Sequence, residues 1–521
     1  MELFNGEKTI LMDGGMGTML QARGLQAGEA PDLWNLSHPE EVQAVHRAYL
    51  EAGSQWISTN TFGTNAKKLT QTGKSVSEIV QAAVDCAKRA AQDYDAKILL
   101  DVGPLGTMLE PMGTLAFEDA YRLFQEVVCA GEKAGVNGVL FETMTDLYEV
   151  RAAVLAAKEN TSLPIWVSMS FESNGRTFCG TPVAAFAITA ESLGAEAVGI
   201  NCSLGPKEIL PMAKTLCEHT DLPVFIKANA GLPDPSTGEY SLQAKEYAEE
   251  MQEYLPLGLN AVGGCCGTTP DYIRALTQVF SEKRAPKAPK ARKSMVCSGM
   301  NVVEIDGLTV IGERINPTGK PRMKEALRAH SMDYLMRQAV EQTEAGAQIL
   351  DVNVGLPGID ETEMMVKAVK AVQSVTELPL QLDSTKREVL EAGLRVYNGK
   401  PIVNSVNAEE SVLRDILPLC KKYGAAVVGL TLDENGIPAE AQKRFALAEK
   451  IVHTAEQYGI PREDVYIDCL TLTASAQQEA VWQTLLAVRM VKERLGVKTV
   501  LGVSNVSFGL PAITLSFFGK A

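Results

Sequence analysis

The segment KAGVNGVLFE (133–142) decides the fold. A helical stretch precedes it, a glycine holds its third position, and an apolar run follows. Gly135 suits the left-handed cap that ends a helix. GVLFE then reads as a strand buried on both faces, the mark of a parallel sheet. The same pattern recurs at EAGSQWISTN (51–60), SLGAEAVGIN (192–201), PLGLNAVGGC (256–265), EAGAQILDVN (344–353) and KYGAAVVGLT (422–431). EVQAVHRAYLEAG shows the preceding helix, with Val42, Val45, Tyr49 and Leu50 on one face. Counting outward, the first half holds strands at TILMD, WISTN, KILLD, GVLFE, IWVSMS, AVGINC, VFIKAN and NAVGGC. Eight parallel strand–helix units predict a closed (β/α)8 TIM barrel. An open doubly wound sheet is the rival, but it usually carries a glycine-rich nucleotide fingerprint that the sequence lacks.

The second half holds seven strands, at TVIGERIN, QILDVN, LPLQLD, IVNSVN, AVVGLTLD, VYIDC and TVLGVSN. A tandem second TIM barrel would thus lack its last strand. Between the halves, SEKRAPKAPKARKSMVCSG (281–299) is rich in Lys and Arg, with few apolar residues. It reads as an exposed linker between domains at 1–280 and 300–521.

With 521 residues the chain is too long for one ordinary domain, and 46% apolar with 22% charged residues is the balance of a globular protein. The net charge of −15 argues against nucleic-acid binding. No apolar run approaches a membrane span and no secretory signal opens the chain, so a cytoplasmic location is expected, with no membrane partner. Ten cysteines in so long a chain suit a reducing compartment with a few functional thiols.

The first eight strands end in Asp13, Asn60, Asp101, Glu142, Ser170, Cys202, Asn229 and Cys265. The later seven end in Asn316, Asn353, Asp383, Asn404, Asp433, Asp468 and Asn505. Barrel active sites sit at this C-terminal rim, and polar groups buried there must bind one another or a ligand. Cys202, Cys265 and Cys266 would open onto one rim. Three thiolates with no fourth Cys or His suggest a zinc site with an open position. A substrate thiol bound there would be deprotonated and ready for alkylation. Gly263, Gly264 and Gly267 would let the backbone turn both adjacent thiols toward one point. Inert buried thiols and a vicinal disulfide are the other readings of the same pair.

The segments DGGMGT, STNTFGTN, DVGPLG, FETMTD, GINCSLGP and GGCCGTTP resemble the homocysteine S-methyltransferase family, in order and spacing, over residues 8–280. The resemblance implies that Cys202, Cys265 and Cys266 bind zinc, which carries the homocysteine thiolate. It also implies that Asp13, Glu142 and Asn229 hold the amino-acid end of homocysteine. The segments VIGERINPTG, ILDVNVG, LQLDST, IVNSVN, YIDCLT and GVSNVSFGLP resemble the pterin-binding methyltransferase family. That likeness implies pterin contacts from Glu313, Asn316, Asp383, Asn404, Asp468 and Asn505, with Asn505 and Asp383 as catalytic residues that help protonate the pterin N5.

The two modules in this order resemble the N-terminal half of a cobalamin-dependent methyltransferase family. Such enzymes move a methyl group from 5-methyltetrahydrofolate to a corrinoid and then to homocysteine, giving methionine and tetrahydrofolate. Zinc, methylcobalamin and methyltetrahydrofolate are the cofactors and donor implied. The corrinoid would reside on a separate module or partner protein, because the Asp-x-His-x-x-Gly segment that marks such a module is absent. The sequence after SNVSFGLP departs from the family pattern. The alternative expectation is a zinc-dependent homocysteine-binding or regulatory protein with a non-functional second barrel.

Overall fold

A computed structural model describes residues 6–234, 240–286, 290–471 and 478–502. The chain forms two compact units, Met1–Pro289 and Lys290–Ala521.

In the first unit the strands are β1 (Ile10–Leu11), β2 (Trp56–Ser58), β3 (Lys97–Val102), β4 (Gly138–Met144), β5 (Ile165–Met169), β6 (Ala197–Asn201), β7 (Val224–Ala228) and β8 (Ala261–Gly264). All eight predicted strands are present. Neighbours pair in parallel in the order β1-β8-β7-β6-β5-β4-β3-β2, and a single parallel bridge from Met12 to Trp56 nearly closes the ring.

Helices return the chain between strands for local reasons. The helix Pro39–Glu51 starts with proline at its first turn and two acids, Glu40 and Glu41, against the positive end of its dipole. It buries Val42, Val45, His46, Tyr49 and Leu50. The helix Phe117–Ala134 ends at Gly135, which has φ 80° and donates its N–H to the Gly131 carbonyl at 3.0 Å. Each of the six repeat glycines has positive φ, from 62° at Gly258 to 111° at Gly53, as the helix-cap reading predicts.

Inside the barrel, Met12, Trp56, Leu99, Leu140, Trp166, Ala197, Phe225 and Ala261 form a buried apolar layer. Trp166 packs, tilted, 4.1 Å from Trp56 and 6.0 Å from Phe225, measured between ring centroids. This plug fills the lower barrel, so any site must lie above it, toward the C-terminal strand ends.

The second unit contains β9 (Met295–Ser298), β10 (Val302–Glu304), β11 (Ile311–Ile315), β12 (Ile349–Asn353), β13 (Leu380–Asp383), β14 (Gly399–Lys400), β15 (Ile402–Asn407), β16 (Ala426–Leu430), β17 (Val465–Asp468) and β18 (Lys498–Val500). The seven predicted strands form one parallel sheet, β11-β12-β13-β15-β16-β17-β18, a half-barrel among the described residues. Asn505 lies outside the described residues.

Two details differ from the sequence reading. The end of the expected linker is structured: β9 and β10 make an antiparallel hairpin that also pairs with β14. Its Val296 and Val303 pack against Ile349, Ile402, Ala426, Val428 and Tyr466 near the starts of the parallel strands. Four residues beside a basic run carry too little periodicity to show this. Strand β16 stops at Leu430, and Asp433 instead opens a tight turn closed by Gly436 N–H to the Asp433 carbonyl, 2.9 Å.

Candidate metal centre and substrate site

Strand alternation stacks the first unit's interior in levels. Two residues beyond the apolar plug come Ser58, Asp101, Glu142, Ser168 and Lys227. Two further on come Ser170, Asn201, Asn229 and Cys265. All of these are buried.

The lower polar level is an ionic cluster. Lys227 Nζ lies 2.9 Å from Glu142 Oε2 and 3.5 Å from Asp13 Oδ1. Asp13 also accepts the Ser58 N–H at 2.6 Å and the Ser58 hydroxyl at 3.3 Å. Burial pushes the Asp13 carboxyl up, against the pull of Lys227. Burial, and then the charge of Glu142, push Asp101 well above the carboxylate range. Its Oδ1 has no hydrogen-bond partner. Burial also opposes the charge of Lys227, but Glu142 and Asp13 outweigh it and hold the ammonium above its usual range. Lys227 escaped the sequence reading, which took only the last polar residue of each strand. The signal was a single lysine inside the apolar strand VFIKA. Buried carboxylates need such a partner.

The upper level carries the thiols. The Sγ atoms of Cys202, Cys265 and Cys266 all lie within 4.8 Å of one another, and those of Cys202 and Cys266 are 3.9 Å apart. Tetrahedral zinc with 2.3 Å bonds needs sulfurs roughly 3.8 Å apart, so the donor set fits that ion. Three soft donors with no fourth in the same group would leave one coordination position open on a bound zinc.

Local backbone aims these thiols. Cys202 and Ser203 both have left-handed φ, 63° and 61°, a conformation that concentrates at functional sites. Cys265 N–H extends the β7 ladder to the Ala228 carbonyl at 2.8 Å. The turn beyond is held by the Thr268 hydroxyl, which donates to the Cys265 carbonyl at 2.7 Å. Tyr49, from the first helix of the barrel wall, donates its hydroxyl to the Thr268 carbonyl at 3.0 Å.

The three glycines expected to turn this segment divide by role. Gly267 has φ 79°, and a Cβ there would sit 2.3 Å from the Tyr240 ring. Gly263 and Gly264 are ordinary strand residues, needed for close approach instead. A Cβ on Gly264 would meet Thr268 Oγ1 at 2.1 Å, and one on Gly263 the Asp13 carbonyl at 2.7 Å. Tyr240, also missed in the sequence, stands beside Cys266 and its hydroxyl favours the thiolate there.

The thiols exchange hydrogen bonds with opposed effects, and burial adds to the net rise. Cys202, which Cys265 lowers and Cys266 raises, sits at about 11. Cys266, which Cys202 lowers and Cys265 raises, sits at about 12. A metal must therefore displace protons to bind. Asn229 completes the rim: it is buried and its Oδ1 has no hydrogen-bond partner.

The second unit gathers acids and amides at its strand ends. Asn353 Nδ2 donates to Asp383 Oδ2 at 2.9 Å. Gln381 and Asn404 donate to Asp351 Oδ1 at 2.6 and 3.4 Å. Burial, and then the charge of Asp383, lift Asp351 to about 7, and burial lifts Asp468 to about 6. Asp468 Oδ1 accepts the Leu470 N–H at 2.7 Å. Asp351 was not predicted, because it lies two residues inside its strand. Glu313 is exposed, and the Asn316 side chain accepts the Thr318 N–H at 2.8 Å in a local turn. The charge of Glu313 still reaches Asp351 and adds to its rise.

Two parallel α/β units, the first with three convergent thiols above a buried ionic layer, define a class of barrel enzymes built for thiol chemistry. The profile of the homocysteine S-methyltransferase family matches residues 10–280, and that of the pterin binding enzymes matches residues 312–516. The chain belongs to the homocysteine S-methyltransferase family. It is 32% identical over 546 residues to a methionine synthase of Mycobacterium leprae, covering 97% of this chain and 45% of that protein. A methionine synthase of Mycobacterium tuberculosis matches at 32% over 541 residues, with the same coverage. The chain thus spans about half the length of the curated relatives it matches.

Among solved structures, the metallated homocysteine methyltransferase of Escherichia coli is 23% identical, covers 53% of this chain and 98% of its own, and has a TM-score of 0.44. A dihydropteroate synthase of Xanthomonas albilineans, solved with 4-aminobenzoic acid, is 19% identical, covers 41% and 78%, and has a TM-score of 0.33. No helix among the described residues is long and apolar enough to cross a membrane.

Proposed function

We propose that the first unit methylates homocysteine to methionine, using a methyl group that the second unit takes from 5-methyltetrahydrofolate and passes on through a corrinoid carrier. The observation that carries this reading is the approach of three Sγ atoms to within 4.8 Å, directly above the Asp13–Lys227–Glu142 cluster. Bound zinc would acidify a substrate thiol and hold it as the nucleophile.

The protein's own groups orient that substrate. Asp13 and Glu142 present carboxyl oxygens on either side of Lys227 that an α-ammonium group could meet. Asn229 Oδ1 offers a further acceptor on the same rim. In the second unit, Asp383, Asn404 and Asp468, with Glu313, Asn316 and Asn505, would match the donors and acceptors of a pterin edge. Asp383 and Asn505 would then hold a proton near the departing N5. The raised pKa of Asp383, caused by burial, suits that role.

The experiment is methionine formation from methylcobalamin and homocysteine by the full chain, with zinc quantified in the same sample. Turnover with zinc near one per chain is expected. Zinc and homocysteine binding without any turnover would replace this reading with the regulatory one.

A further inference from the structure

Asn201 is fully buried one residue before Cys202, yet its side chain is committed to the other end of the thiol site. Its Oδ1 accepts the Thr143 N–H at 2.8 Å and the Ser168 hydroxyl at 2.9 Å. Two donors on that atom fix which end of the amide is oxygen. Nδ2 then donates to Thr143 Oγ1 at 2.8 Å and to Cys265 Sγ at 3.7 Å. Thr143 has φ 61° and directly follows Glu142, so the same amide ties the ionic layer to the thiol site.

We infer that Asn201 is a positioning residue that holds Cys265 in place and, through its N–H···S hydrogen bond, lowers the nucleophilicity of that sulfur. The inference rests on the metal and methyl-transfer reading above. The chemistry explains the need. When an electrophilic methyl group arrives, a new S–C bond forms and the bond to the donor breaks, its electron pair leaving with the donor. Both Cys265 and the substrate present sulfur to the same methyl group. A hydrogen-bonded thiolate has less charge to give than a free one, so the substrate sulfur reacts and Cys265 is spared. Partners beyond the metal-binding atoms tune those atoms in this way.

The test uses the full chain loaded with zinc, and reads alkylation of each cysteine by iodoacetamide through peptide mass spectrometry. In Asn201→Asp, the oxygen still accepts from Thr143 and Ser168, but the donor to sulfur is gone. Cys265 is expected to alkylate about tenfold faster, the rate equivalent of one ordinary hydrogen bond. Cys202 and Cys266 should stay within about twofold of the wild type. With cobalt(II) in place of zinc, the thiolate-to-metal charge-transfer band should move to lower energy in the same variant, a shift that loss of packing alone does not produce.

Unchanged Cys265 alkylation in a zinc-loaded variant overturns the role of Asn201 and leaves the metal reading standing. Absence of zinc from the wild-type chain overturns both. If Asn201→Asp does not fold, the cadmium-loaded wild type carries the test. Through-bond coupling between cadmium and the Asn201 amide proton is then expected, and its absence overturns the assignment.

Discussion

Lys227 Nζ and Glu142 Oε2 meet at 2.9 Å inside the first barrel, both side chains less than a tenth exposed. An ion pair so buried is held by mutual need. Removing the cation leaves Glu142 and Asp13 charged and unpaired. Lys227→Met should therefore destabilise the first unit by about 3–5 kcal/mol and weaken homocysteine binding. Urea denaturation followed by tryptophan fluorescence would show it. A loss below about 1 kcal/mol would mean that water or a proton already replaces the pair.

The thiol cluster predicts a metal count. Zinc should be near one per wild-type chain and near zero in Cys265→Ala or Cys266→Ala, measured by atomic emission on dialysed protein. Zinc retained by both variants would contradict the assignment of these donors.

His46 provides a pH prediction. It is fully buried, neither ring nitrogen has a hydrogen-bond partner, and burial lowers it to about 4. The unfolded chain binds this proton near pH 6.5. Between those values the unfolded state holds more protons, so stability falls as pH drops from 6.5 toward 4 and levels off below. The loss from this residue is about 3 kcal/mol. The difference between wild type and His46→Leu, measured as urea midpoints from pH 4 to 7, isolates it. A pH-independent difference would show that the imidazole has found a partner.

The second unit predicts a binding deficit. Methyltetrahydrofolate titrated calorimetrically into the full chain should bind. Asp383→Asn or Asn404→Ala should weaken that binding by about 1–3 kcal/mol, the cost of a lost hydrogen bond to a buried polar group. Equal affinity in wild type and both variants would place the pterin elsewhere.

The parallel strands, the helix caps and the rim location of Cys202, Cys265 and Cys266 were readable along the chain. Each rests on a local period: alternation in a strand, or a left-handed glycine closing a helix, as at Gly135 and Gly194. The roles of Gly263 and Gly264 were misread, because a close approach to Thr268 and Asp13 is a fact of packing and not of backbone preference. The hairpin at 295–304 was missed because its reason to be a strand, burial of Val296 and Val303, lies in residues far along the chain.

The sequence by itself determined the parallel barrel, the two-unit organisation, and the polar character of most described strand ends, Asp433 excepted. Only the tertiary structure decided who meets whom. Lys227 finds Glu142 across 85 positions, and Asn201 finds Cys265 across 64. The physical reason is that a barrel interior is shared by all its strands. A side chain one level below the rim looks in sequence like a flaw in an apolar run. Its partner, and hence its stability when buried, exists only once the ring has closed.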